Sequence, residues 1–234
     1  IGKEVGDRKK KSKKYMKKLG NAEKIERRLI THEDPKSPVS EAYRSLRTSL
    51  MYSHIKQENG HVILVSSPGP GEGKTTTIVN LAITYANLGK KTILVDGDLR
   101  KPVIHKVFNE KNEKGLTHYL SGVEEKYESI IHSTDINNLD IIYNGAIPPN
   151  PSELLGSQLM IDLVTNLKNK YDIILFDAPP VMAVTDAVVL SRLIDQFILV
   201  VRFGSTDKDS IKHALNALRH VNTNITGVVL NDLK

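Results

Sequence analysis

Six short runs dominated by Val, Ile and Leu recur along this chain, at 61–66, 91–96, 139–143, 171–177, 196–201 and 225–230. Each is close to continuously apolar, the pattern of a strand buried on both faces. Helical periodicity fills the gaps, over 75–88, 115–121, 125–132, 152–169, 185–193 and 207–221. Gly89 is placed to end the first of these helices, and Ser152 to cap the fourth after Pro148-Pro149-Asn150-Pro151. The alternation predicts an α/β fold, a doubly wound and mostly parallel sheet flanked by helices, with ligand beyond the carboxyl ends of the strands. Upstream, Asp34-Pro35-Lys36-Ser37-Pro38 predicts a helix start, with Ser37 as cap and Pro38 in the first helical position. This N-terminal helix is expected from about Val39 to Ile55, with Val39, Tyr43, Leu46 and Leu50 as its apolar stripe. Glu41, Arg44 and Arg47 lie beside that stripe, three residues apart.

Three segments carry candidate chemistry. Ser66-Ser67-Pro68-Gly69-Pro70-Gly71-Glu72-Gly73-Lys74-Thr75-Thr76 joins the first strand to the first long helix. A strand, a glycine-rich turn and a helix N-terminus in that order cradle phosphates. Backbone N–H groups and the positive helix end hold them, Lys74 reaches the outer ones, and the Thr75 hydroxyl takes a magnesium ion. The usual pattern has glycine five positions before Gly73, where this chain has Pro68, yet Gly69 and Gly71 still allow close backbone approach. The second segment, Ile93-Leu94-Val95-Asp96-Gly97-Asp98-Leu99-Arg100, places two carboxylates at a strand end. One can hold a metal while the other accepts a proton from an attacking hydroxyl. The third, Ile173-Ile174-Leu175-Phe176-Asp177, ends in a carboxylate whose burial calls for a cation. Hydrolysis and phosphoryl transfer use the same parts, and nothing in these residues by themselves selects an acceptor.

Charge changes the picture only at one end. The 234 residues carry a net +6, but residues 1–28 hold +8 of it and the remaining 206 hold −2. The globular part is therefore not basic, and no aromatic-studded basic face suggests nucleic acid as a partner. The run Arg8-Lys9-Lys10-Lys11-Ser12-Lys13-Lys14-Tyr15-Met16-Lys17-Lys18 either stays solvated or is drawn to an anionic membrane leaflet. Met16, Leu19, Ala22, Ile25 and Leu29 recur at helical spacing, so residues 15–30 are expected as an amphipathic helix. No stretch of 18 apolar residues exists to span a membrane. The start at Ile1 and the lysine-rich opening lead us to expect a transmembrane helix in a longer native polypeptide or in a partner. The absence of cysteine excludes disulfides, cysteine-ligated metals and thiol catalysis.

The chain resembles the bacterial protein-tyrosine kinases of capsule and exopolysaccharide synthesis, a family on the P-loop ATPase fold. The resemblance covers residues 34–233. It rests on Pro35-Lys36-Ser37-Pro38 with Glu41-Ala42-Tyr43-Arg44-Ser45-Leu46-Arg47, on the glycine turn 68–75, and on Asp96-Gly97-Asp98-Leu99-Arg100-Lys101-Pro102. It also takes in Pro148-Pro149-Asn150-Pro151-Ser152-Glu153-Leu154-Leu155, Asp177-Ala178-Pro179-Pro180 and Val228-Val229-Leu230-Asn231. It implies ATP and Mg2+ as cofactors, with Gly69, Pro70, Gly71, Glu72, Gly73, Lys74, Thr75, Thr76 and Arg100 around the nucleotide and Asn231 at the adenine. Lys74, Asp96 and Asp98 would be catalytic, with Asp96 taking the tyrosine proton. Thr75, Asp98 and Asp177 would handle magnesium. Glu41, Arg44 and Arg47 would dock onto a neighbouring subunit in a ring. Residues 1–33 then read as a juxtamembrane activator segment and 34–234 as the kinase domain. A membrane activator or polysaccharide co-polymerase, tyrosine-bearing protein substrates and a location on the cytoplasmic face of the bacterial plasma membrane are implied. The family's C-terminal tyrosine cluster is missing, since the last tyrosine is Tyr171. The competing reading is a spatial-positioning or assembly-switch ATPase without tyrosine transfer. Positioning ATPases of that kind carry an extra lysine near the start of the glycine turn, where this chain has Pro68, Gly69 and Pro70.

Overall fold

The computed structural model describes residues 29–53, 59–221, 223 and 225–232. The basic run and all but the last two residues of the expected 15–30 helix lie outside them. All six expected strands are present: β1 (His61–Ser66), β2 (Thr92–Asp96), β4 (Leu139–Ile142), β5 (Ile173–Asp177), β6 (Gln196–Arg202) and β7 (Ile225–Asn231). With β3 (His132–Ser133) they form one sheet in the order β3-β4-β2-β5-β1-β6-β7. Every pairing is parallel except β3 with β4.

The apolar runs are continuous because successive residues feed opposite layers. Val62 and Leu64 enter one core with Ile93, Val95 and Phe176, while Ile63 and Val65 enter the other with Leu94 and Leu175. On the second face lie α2 (Pro38–Tyr52), α3 (Lys74–Asn87) and the short α4 (Ile104–Val107). On the first lie α5 (Leu116–Leu120), α7 (Gln158–Lys170), α8 (Asp186–Leu190) and α9 (Lys208–Arg219). The chain is thus doubly wound.

The packed body begins before α2. In the single-turn α1 (Ile30–Glu33), the Thr31 N–H donates to Asn80 Oδ1 at 3.0 Å, and the Thr31 hydroxyl donates to the same oxygen at 2.9 Å. Ser37 caps α2 as expected, accepting from the Ser40 N–H, with Pro38 at its first position. α2 lies parallel to α3, with Tyr43 bonded to Thr77 and Arg47 Nη1 donating to the Thr84 carbonyl at 2.7 Å. The stripe is rotated from the expected one. Val39 is 52% exposed, and Ser40 takes the inward place by bonding back to Ile30 and Asp34. The helix is described to Tyr52, short of the expected Ile55.

Three expected helices are corrected. The stretch 125–132 is a 3-10 turn, Tyr127–Ile130, and its end pairs with β4 as β3. Only Ile130 of that stretch is fully buried, so an i, i+3 spacing there reflects one turn rather than a helix face. The stretch 152–169 is two helices, α6 (Pro151–Leu155) and α7, separated by Gly156-Ser157. Ser157, not Ser152, caps the long one by accepting from the Met160 N–H. The stretch 185–193 is α8 followed by a 3-10 turn over Ser191–Leu193.

Candidate active site

The order of the strands decides which residues meet. β5 lies between β1 and β2, so the glycine turn after β1 and the Asp-Gly-Asp loop after β2 flank the end of β5. Asp177 is level with Val65 on one side and with Asp96 on the other. The start of the turn is fastened to the segment after β5. Ser66 Oγ donates to the Pro179 carbonyl at 2.7 Å, and the Val181 N–H donates to the Ser67 carbonyl at 2.9 Å. That framework accommodates Pro68 where glycine is usual, because Pro68 supplies only a carbonyl, to the Met182 N–H.

Gly71 and Gly73 have φ of +80° and +93°, the left-handed region that glycine enters without strain. A Cβ on Gly73 would stand 1.9 Å from Asn231 Nδ2, so the position is closed to other residues on two counts. Asn231 ends β7 and donates from Nδ2 to the Glu72 carbonyl at 2.9 Å, bringing the last strand against the turn. The Glu72 side chain turns away, accepting from the Arg202 N–H at 2.6 Å and from the Thr206 hydroxyl.

Lys74, Thr75, Asp98 and Asp177 converge. Lys74 Nζ donates to Asp98 Oδ2 at 3.0 Å and to Asp177 Oδ1 at 3.2 Å. The Thr75 hydroxyl donates to Asp177 Oδ2 at 2.6 Å. Burial works to lower the Lys74 pKa, but Asp177 and Asp98 outweigh it and hold the ammonium above the usual lysine value. Asp98 also accepts from the Lys101 N–H at 3.0 Å, which fixes its loop. A hydroxyl beside two carboxylates is the oxygen set a magnesium ion with retained waters takes, so the residues fit that ion. Among the described residues no group of three or more His, Cys, Asp or Glu side chains forms a further metal cage.

Asp96 is fully buried one residue beyond Val95. Its Oδ2 accepts from the Ile104 N–H at 3.3 Å, while Oδ1 has no hydrogen-bond partner among the described residues. Burial, then the neighbouring Asp177, push its pKa up to about 8. A carboxyl group so placed is ready to exchange a proton near neutral pH.

Not every sequence candidate joins this group. Arg100 leads away from it, donating from Nε and Nη2 to the two oxygens of Asp186 at 2.9 and 3.1 Å. Asp186 is fully buried and also accepts from Ser152 Oγ at 2.5 Å. Sequence reasoning missed Asp186. The only signal was a lone acid opening the apolar stretch Ala187-Val188-Val189-Leu190. Glu41 and Arg44 pair with each other on the α2 surface, and Arg44 also reaches the Pro35 carbonyl. Arg47 is half-buried against α3.

Comparison with known proteins agrees with this fold. Residues 60–229 match the family described as AAA domain. The tyrosine-protein kinase YwqD of Bacillus subtilis (strain 168) is 37% identical over 211 residues, 90% of this chain and 88% of that protein. The putative tyrosine-protein kinase CapB of Staphylococcus aureus is 36% identical over 205 residues, 88% of this chain and 89% of its own length. The crystal structure of the chimerical protein CapA2B2 superposes with a TM-score of 0.84 at 39% identity, covering 88% of this chain and 90% of that one. Relatives at this identity are matched almost from end to end, and on that ground the chain belongs to the bacterial tyrosine-protein kinases.

Proposed function

We propose that this chain moves the γ-phosphoryl group of ATP to tyrosine hydroxyls of proteins, in the control of capsule or exopolysaccharide synthesis. The observation that carries this reading is the Lys74 ammonium held between Asp98 and Asp177, with Thr75 on the second carboxylate. In the proposed complex, backbone N–H groups of Gly69 to Thr76 and the positive end of α3 hold the phosphates. Lys74 leaves its carboxylate partners to follow charge on the outer phosphates. Thr75, Asp98 and Asp177 would hold Mg2+, which when bound neutralises phosphate charge. Asp96 accepts the tyrosine proton in its ionised form, a role supported by its place at the strand end and by an oxygen with no hydrogen-bond partner among the described residues. Asn231, beside the turn on the β7 side, is assigned to the adenine. Arg100 braces the Asp98 loop through Asp186 rather than reaching the nucleotide.

Glu41 and Arg44 are assigned to a contact between copies in a ring. The partner we assign is a membrane activator, and the site of action is the cytoplasmic face of the bacterial plasma membrane. Among the described residues no helix is long and apolar enough to cross a membrane. The test is transfer of radiolabelled γ-phosphate to a tyrosine-rich peptide in the presence of the activator. The native chain should label tyrosine, and Lys74→Met should reduce labelling below detection. ATP turnover with no phosphotyrosine would favour the switch-ATPase reading instead.

A further inference from the structure

Among the described residues, one tyrosine stands apart. Tyr85, Tyr119, Tyr143 and Tyr171 are buried, and Tyr43 and Tyr127 are half-buried, whereas Tyr52 is 87% exposed. It is the last residue of α2, and the turn that carries it is clamped to the sheet. Gln196 Nε2 donates to the Leu50 carbonyl at 3.1 Å and to Ser53 Oγ at 2.9 Å, on either side of Tyr52. The ring is therefore presented to solvent from a fixed backbone.

We propose that Tyr52 is itself a phosphoryl acceptor, modified by a second copy of this chain. The proposal rests on the kinase reading above. Transfer within one copy is excluded by where α2 ends. Its neighbour Met51 lines a cleft with Gly60, His61, Tyr171 and Ile173, at the amino ends of β1 and β5. The pair His61 and Ile173 lies four residues before the pair Val65 and Asp177, roughly 13 Å along the strands at 3.3 Å per residue. The body of α3 runs between the two ends, and a tyrosine side chain does not span that distance.

In the transfer, the bond from the γ-phosphorus to its bridging oxygen breaks and a bond to Tyr52 Oη forms. ADP leaves with the bridging oxygen, and the phenolic proton goes to Asp96 of the donor copy. The new phosphate carries a charge of about −2. It would stand beside a cleft of about 670 Å³ whose lining includes Lys90, Lys91, Lys168 and Lys170. Lys168 is already paired with Asp195, so Lys90, Lys91 and Lys170 supply the positive charge to receive it.

The experiment mixes two variants, a Lys74→Met chain as acceptor and a Tyr52→Phe chain as donor, with Mg·ATP, the activator and a tyrosine-rich peptide. Phosphopeptides are then mapped by mass spectrometry. The Tyr52 peptide of the acceptor should become phosphorylated at a rate that rises with donor concentration. The Tyr52→Phe donor should label the added peptide within twofold of the native rate. Labelled peptide with Tyr52 unmodified, or with chain label confined to Tyr15 or a buried tyrosine, overturns the proposal and leaves the kinase reading intact. Tyr52 labelling in the native chain with none on the Lys74→Met acceptor, at any donor concentration, overturns the second-copy requirement. No label on either peptide or chain overturns both.

Discussion

At the scale of single residues, the site is a contest between charges removed from water. Asp96, Asp98 and Asp177 end two adjacent strands, and one lysine is shared between the last two. Asp96 stands beyond the reach of that lysine's hydrogen bonds and holds its proton more tightly than an ordinary carboxylate does. In the proposed function this asymmetry is the ground for assigning Asp96 to the tyrosine proton and Asp98 and Asp177 to the metal. Asp96→Asn keeps the shape and the Ile104 contact but cannot take a proton. It should lower kcat for peptide phosphorylation by about 10²- to 10⁴-fold, with KM for ATP changed less than threefold or so. A kcat within tenfold of native in steady-state assays would remove Asp96 from the proton transfer. Lys74, Thr75, Asp98 and Asp177 were legible in the sequence because a glycine turn and strand-end acids have few other uses. The direction of Arg100 was not. Its partner Asp186 lies 86 residues away, and the pairing exists only because α8 returns across the loop after β2.

Elements were legible where burial alone decides them. The runs 61–66 and 196–201 could be nothing but strands in a two-faced sheet, and both lie within a residue of expectation. Helix ends failed where a local hydrogen bond overrode the period. Ser157 restarts a helix after Gly156, and Ser152 prefers a buried carboxylate to an orphan N–H of its own helix. The same side-chain logic fastens the amino end of β1. Asp195 accepts from the Val62 N–H at 2.9 Å and from Lys168 Nζ at 3.0 Å, with His61 Nδ1 at 3.5 Å. Burial raises its pKa, but the Val62 and Lys168 contacts win and hold it below the ordinary 3.8. A lowered folded pKa means stability that is present above about pH 4 and lost as pH falls through the folded value. Asp195→Asn should therefore cost roughly 1–2 kcal/mol at pH 7, and the deficit should be smaller at an acid pH well below the ordinary carboxylate value. Urea midpoints measured at both pH values check this. A deficit of equal size at both would show that charge is not its source.

The molecule as a whole is polarised along its strands. The glycine turn, the three aspartates and the start of α2 share one end, while Tyr52, the lysine-lined cleft and the amino ends of β1 and β5 share the other. A ring that places one copy's acceptor near another copy's nucleotide needs a contact on the flank, and α2 runs the length of that flank. Its three flanking charges are not equivalent. Arg47 is half-buried and bonded to the Thr84 carbonyl, so removing it disturbs the packing of α2 on α3. Among the described residues, the Glu41 and Arg44 side chains make polar contacts only with each other and with the Pro35 carbonyl, and a surface pair of that kind contributes about 0–1 kcal/mol to folding. The two groups therefore separate assembly from stability. Glu41→Ala with Arg44→Ala should leave the thermal midpoint within about 2 °C while reducing the mass in light scattering to that of smaller species. Arg47→Ala should lower the midpoint whether or not a ring forms. If the Glu41/Arg44 double variant keeps the native mass, the flank of α2 is a solvated surface, and the second copy that reaches Tyr52 must approach from elsewhere.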